Sequence, residues 1–224
     1  RAYSMNDGSE MWNIKTEYSL IRSQKKLSMV ILGNKIYFNN SSGDISAVDM
    51  ESGELLWQLP TQSSLVHSQS FFLKTSEIIA DKDTLYFSNN KNEFYSVDIQ
   101  SGTINWQQKI NSNLRPTLID DYIFTVSDEG YLIVIDKNSG NIVRITDTFQ
   151  NFKVKKRKVI KPTGFIVGSK NIYLTTNHGR LIVLDTTTGK IIDIIKVDKG
   201  KITRPLVLNQ NLFVITDSSI VKLN

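Results

Sequence analysis

Four aspartates, Asp49, Asp98, Asp136 and Asp185, are the residues whose type and spacing first invite a chemical reading. A carboxylate serves as a general acid, a base or a cation ligand when it converges with other titratable groups. Here each stands four residues before a glycine: Gly53, Gly102, Gly140 and Gly189. A catalytic carboxylate would be unique to one place, whereas these recur. Asp with Gly at that spacing marks a turn in which the carboxylate accepts backbone N–H groups and Gly takes the positive φ. The two histidines, His67 and His178, lie far apart and outside any metal-ligand spacing, and His178 abuts the turn residue Gly179. Cysteine is absent, which excludes disulfides, thiolate catalysis and cysteine-bound zinc. Ser and Thr are plentiful but form no Gly-x-Ser-x-Gly elbow and no phosphate-cradling loop. The expectation is a protein without catalytic residues, metal or cofactor.

The elements that position these turns repeat along the chain. Ala47–Gly53, Ser96–Gly102, Val134–Gly140 and Val183–Gly189 follow one pattern, and Tyr3 to Gly8 is a fifth copy with Ser4 in the Asp slot. The glycines at 8, 53, 102, 140 and 189 recur about every 45 residues, the length of a propeller blade. Thirteen residues before each Asp an apolar run begins (Ile36, Leu85, Ile123, Ile172). Seven residues into each run comes Gly43, Asn92, Gly130 or Gly179, a hairpin turn. Each unit is thus a small antiparallel meander, and no helical period competes with it. One such sheet cannot bury both faces, but radially packed copies cover one another.

The expected fold is all-β: a β-propeller of four-stranded antiparallel blades, five repeats forming one domain over 1–224. The repeat units fall near 17–60, 61–110, 111–147 and 148–200, with 1–16 and 205–224 together making the fifth. Trp12, Trp57 and Trp106 lie four residues beyond their glycines, where a large ring wedges between blades. Arg144 and Asp193 occupy that slot in the last two copies, so there the wedge is expected to be missing.

Composition is that of an ordinary globular protein: 224 residues, 40% hydrophobic and 22% charged. No run approaches the ~20 apolar residues of a membrane-spanning helix. The sequence does not open on Met and carries no secretory signal; the expectation is that residues before Arg1, with any targeting or lipid-attachment signal, have been removed. The net charge of +5 has a local origin in Lys153, Lys155, Lys156, Arg157, Lys158 and Lys161. Without those six, 21 basic residues face 22 acidic ones, so a globally basic, nucleic-acid-binding surface is not expected. Alternation over Lys153–Val159 suggests an edge strand whose lysines block further pairing; the functional alternatives are an anionic membrane surface or an acidic partner. The other long connection, Ser63 to Glu77, carries Phe71, Phe72 and Leu73 and reads either as a first strand or as a partner-binding lip.

The pattern of apolar run, turn Gly, Ala-x-Asp-x-x-(Ser/Thr)-Gly-x-x-x-Trp resembles the repeats of quinoprotein dehydrogenases, and more closely those of the non-catalytic outer-membrane assembly lipoproteins of the BamB family. The likeness covers nearly the whole chain and is sharpest from Gly189 through Thr203-Arg204-Pro205 to Asn224. It implies roughly the last five blades of an eight-bladed ring, located in the periplasm at the inner face of the outer membrane of a Gram-negative bacterium. It further implies binding to the barrel-assembly protein and to unfolded outer-membrane protein substrates, without cofactor. Leu20, Ile21 and Arg22, in Tyr18-Ser19-Leu20-Ile21-Arg22, resemble the apolar-plus-Arg loop by which such proteins dock; an inter-blade loop with tucked aliphatics is the alternative. In the next repeat Leu73-Lys74-Thr75 stands where an acidic cluster would complete that interface. A generic protein- or sugar-binding propeller is the second reading. A quinoprotein dehydrogenase is the third, disfavoured because those enzymes resemble a longer ring with adjacent cysteines.

Overall fold

The computed structural model describes residues 1–15, 28–40, 43–61, 74–89 and 91–223. The chain forms two compact units, 1–110 and 111–224, each with its own core.

The first unit opens with a two-stranded sheet, β1 (Ala2–Tyr3) and β2 (Glu10–Trp12). Two four-stranded antiparallel meanders follow. One contains β3 (Met29–Leu32), β4 (Lys35–Asn39), β5 (Ile45–Asp49) and β6 (Leu55–Leu59); the other contains β7 (Ile79–Asp81), β8 (Thr84–Asn89), β9 (Glu93–Asp98) and β10 (Ile104–Gln108). The second unit carries two more meanders: β11 (Thr117–Ile119), β12 (Tyr122–Val126), β13 (Tyr131–Asp136) and β14 (Ile142–Asp147), then β15 (Pro162–Val167), β16 (Asn171–Thr176), β17 (Arg180–Asp185) and β18 (Ile191–Lys196). It ends in a three-stranded sheet, β19 (Leu206–Leu208), β20 (Asn211–Ile215) and β21 (Ile220–Leu223).

The middle hairpin of every four-stranded sheet is its most apolar part and supplies the core. In the first unit Tyr37, Ile45, Ala47, Leu85, Phe87, Tyr95 and Val97 pack together; in the second Phe124, Val126, Leu132, Val134, Ile172, Leu174, Ile182 and Leu184 do so. Both faces of these central strands are covered, which is why they read as near-continuous apolar runs. The hairpin turns take the left-handed conformation expected of them, Asn92 at φ 67° and Gly130 at φ 90°.

The third and fourth strands share a device that the sequence did not disclose. In all five copies their register slips by one residue, leaving Met11, Leu56, Asn105, Val143 or Ile192 unpaired. A bulge bends its strand and re-aims the neighbouring side chain. The residue it re-aims is the next one: Trp12, Trp57, Trp106, Arg144 or Asp193.

The basic segment is not an edge strand. Residues Val154–Arg157 form a single helical turn, α1, with the N–H groups of Lys156 and Arg157 bonded to the Lys153 carbonyl. A strand needs a partner or a buried face, and this segment has neither: Val154 is 72% exposed and Val159 54% exposed. Its ends are anchored instead, Phe149 and Ile160 being buried at 1% exposure each, and the chain coils between them. In the Ser63 to Glu77 connection, residues 63–73 lie outside the described residues. The first strand of that sheet is β7, which begins after the connection, and Thr75 makes one isolated bridge to Asn89.

Candidate functional site

One oxygen of each recurrent carboxylate is engaged by its own turn. Asp49 Oδ1 accepts from the N–H of Glu51 at 3.0 Å, the N–H of Ser52 at 2.8 Å and the Ser52 hydroxyl at 2.9 Å. Asp98 and Asp136 repeat this with Gln100/Ser101 and Asn138/Ser139. Asp185 holds the N–H and hydroxyl of Thr188. The glycine closes each turn, Gly53 N–H donating to the Asp49 carbonyl at 3.0 Å and Gly102 N–H to that of Asp98 at 2.9 Å. In the first copy Gly8 N–H donates to the Ser4 carbonyl at 2.9 Å, so Ser4 fills the Asp slot as read. Hydrogen bonds from backbone N–H groups, then from the hydroxyl, favour the charged form and hold all four carboxyls below the ordinary aspartate value. Every lone pair so engaged is one fewer for a metal or a substrate proton.

Above the Gly53 and Gly102 turns lies the wedge of the preceding repeat. Trp12 Nε1 donates to the Met50 carbonyl at 3.0 Å, and its ring lies 2.5 Å from where a Cβ on Gly53 would project. Trp57 Nε1 donates to the Ile99 carbonyl at 3.2 Å, its ring 2.7 Å from a Cβ on Gly102. Glycine is therefore required twice over at these positions, for a φ near 72–74° and for the absence of a side chain beneath an indole.

The wedge expected to be missing in the fourth copy is present, made by Arg144. Its Nη2 donates to the Thr186 carbonyl at 3.0 Å, and Nη1 bonds the carbonyl of Thr187. Met50, Ile99 and Thr186 each directly follow the turn aspartate, so the guanidinium finds the same acceptor as the indoles. Its Nε would stand 2.8 Å from a Cβ on Gly189, as the indole rings stand over theirs. Burial pushes the Arg144 guanidinium down, and the neighbouring Asp185 carboxylate opposes this.

Of the remaining sequence-chosen residues, Leu20, Ile21 and Arg22 lie outside the described residues, as do His67, Phe71, Phe72 and Leu73. His178 sits in the β16–β17 turn with Nδ1 2.8 Å from Asn177 Oδ1. Trp106 stacks on Phe94 at 6.0 Å between ring centroids and lies beside Tyr86. Among the described residues no three His, Asp or Glu side chains are grouped to hold a metal ion, and no helix is long and apolar enough to cross a membrane.

The family described as outer membrane protein assembly factor BamB matches residues 1–146, more than half of the chain. The chain belongs to the BamB family. No curated protein matches it by sequence. Among solved structures, BamB from Moraxella catarrhalis is similar with a TM-score of 0.79 at 16% identity, covering 98% of this chain and 64% of that one. The β-propeller domain of Cps50 (Swd1) from Myceliophteria thermophila gives 0.66 at 15% identity, covering 90% and 65%. The computationally designed Ika8 protein gives 0.67 at 11% identity, covering 89% and 58%. At such identities the likeness speaks for fold alone, an all-β propeller-type arrangement of four-stranded antiparallel sheets. The chain spans 64% of the length of the Moraxella BamB chain. The Asp turns and their wedges are thus the internal joints of a BamB-family repeat.

Proposed function

We propose that this BamB-family chain is a non-catalytic scaffold of the machinery that assembles β-barrel proteins into the outer membrane, acting by binding rather than by chemistry. The match of residues 1–146 to that family carries the reading. The engagement of all four repeated carboxylates by their own turns supports it, since such groups build a rigid frame rather than a reacting centre. In this reading the five repeats are blades of a larger ring. The frame presents loops to the periplasmic domains of the barrel-assembly protein at the inner face of the outer membrane. Leu20, Ile21 and Arg22 form the contact, Arg being enriched at protein interfaces and among their hot spots. An exposed blade edge pairs with strands of unfolded outer-membrane substrates by β-augmentation.

The test is a binding titration of the chain against those purified periplasmic domains. Saturable association is expected, and the triple variant Leu20→Ala, Ile21→Ala, Arg22→Ala should weaken it by about 30-fold or more, the effect of losing ~2 kcal/mol of hot-spot contact. Absence of association by the unaltered chain refutes the scaffold role. Unchanged affinity of the triple variant refutes the contact.

A further inference from the structure

We propose that the segment Lys153–Lys161 is a docking surface for anionic phospholipid headgroups. This stands apart from the role assigned to Leu20, Ile21 and Arg22, because it uses a different segment and a different ligand chemistry.

Charge is the first observation. Six cations fall within these nine residues, and no acidic residue occurs from Thr148 through Leu184. Three of the six are engaged within the protein. Arg157 is ion-paired with Asp147, Lys156 lies over the Phe152 ring at 5.4 Å, and Lys161 Nζ reaches the Asp128 carbonyl at 3.3 Å. Lys153, Lys155 and Lys158 are exposed and form no ion pair among the described residues.

The segment is also held in shape. Phe149 is buried beneath Gly130, where a Cβ would meet its ring at 2.2 Å, and Ile160 is buried at the other end. Asn177, on the neighbouring hairpin, accepts from the Lys161 N–H at 2.7 Å and donates to the Val159 carbonyl at 3.1 Å. The lysines are therefore presented from an anchored turn, so less ordering entropy opposes binding.

The side chains between the lysines choose the ligand. Val154 and Val159 are the exposed apolar residues of the segment, interleaved with the free ammonium groups. Cations alternating with exposed aliphatics suit an interface where phosphates meet acyl chains. An acidic protein partner would favour Arg, which pairs carboxylates bidentately and is enriched at protein interfaces where Lys is depleted. The one Arg here is spent on Asp147. Nucleic acid would call for an exposed stacking ring, and the aromatic of the segment, Phe152, is half-buried against the core and covered by Lys156.

The test is cosedimentation of the intact chain with phosphatidylcholine vesicles that contain or lack phosphatidylglycerol, at low and high salt. Binding is expected to the anionic vesicles alone and to fall with salt. Each exposed lysine should contribute about fivefold, so Lys153→Gln, Lys155→Gln, Lys158→Gln together should weaken binding by about a hundredfold. These glutamines keep the aliphatic stems. A control with the same loss of charge, Lys82→Gln, Lys109→Gln, Lys199→Gln, should lose far less. Val154→Ser with Val159→Ser should weaken vesicle binding while leaving binding of soluble polyglutamate unchanged. The proposal is overturned if pure phosphatidylcholine binds equally, or if the control triple loses as much as the segment triple. It is also overturned if polyglutamate binds through these lysines while anionic vesicles do not, which would assign the surface to an acidic protein.

Discussion

Replacing Gly102 by Ala, alone and together with Trp57→Ala, measures the joint between successive repeats. The new methyl would project to 2.7 Å from Trp57 Cδ2 and Cε3. It would also hold Ala at φ 74°. The left-handed backbone costs Ala about 1–2 kcal/mol. Overpacking against an indole fixed by its own hydrogen bond to Ile99 adds about 1–3 kcal/mol. The single variant should therefore lose about 2–5 kcal/mol, the total of these two costs. Trp57→Ala removes a half-buried ring, its bond to Ile99 and its contact with Tyr37 at 5.9 Å between centroids. With the ring gone, Gly102→Ala should cost only its backbone strain, so the double variant loses less than the two singles combined by about 1–3 kcal/mol. Gly8→Ala supplies a comparison, since it has φ 73° and nothing within 4 Å of the added carbon. Urea unfolding followed by tryptophan fluorescence is the assay, because Trp12, Trp57 and Trp106 all belong to the first unit. Strict additivity of Gly102→Ala and Trp57→Ala would show that no wedge presses on the turn.

Arg144→Ala should destabilise the second unit by about 2–3 kcal/mol, because it strips donors from the Thr186 and Thr187 carbonyls, whereas Arg144→Trp should cost less by restoring the N–H of the earlier copies; thermal unfolding of both variants checks this. Gly130→Ala, at φ 90° and 2.2 Å from the Phe149 ring, should cost at least about 3 kcal/mol and loosen the start of the basic segment, read by amide hydrogen exchange at Phe152 to Ile160. The turn carboxylates make stability acid-sensitive. Their folded pKa lies below the ordinary 3.8, so their contribution is fully present above that value and is lost as pH falls from there through the depressed folded value. Melting temperature measured against pH should therefore drop in that window for the unaltered chain, and the drop should be shallower for Asp136→Asn with Asp185→Asn, which keeps an acceptor and does not titrate.

The turns were legible because they are local. An Asp, a hydroxyl and a Gly within five residues determine their own hydrogen bonds, so Asp49, Asp98, Asp136 and Asp185 sit where spacing alone puts them. The indole wedges at Trp12 and Trp57 were legible because a large apolar ring at a fixed offset has one economical place to go. Arg144 was not, because its fitness for the slot depends on carbonyls more than 40 residues away that a guanidinium reaches as well as an indole does. The bulge that aims each wedge leaves no compositional mark, since Met11, Leu56, Asn105, Val143 and Ile192 share no chemistry. The helical turn at Val154–Arg157 was misread because Lys–Val alternation mimics a strand, and only the burial of Phe149 and Ile160 shows that the chain is anchored at its ends rather than along a face.

Photocrosslinking from a benzoylphenylalanine placed at position 21 would probe the scaffold role most directly. In cells the account predicts a covalent adduct with the barrel-assembly protein from position 21, and none from position 192 on β18. An adduct with some other protein from position 21, or equal adducts from both positions, would contradict it.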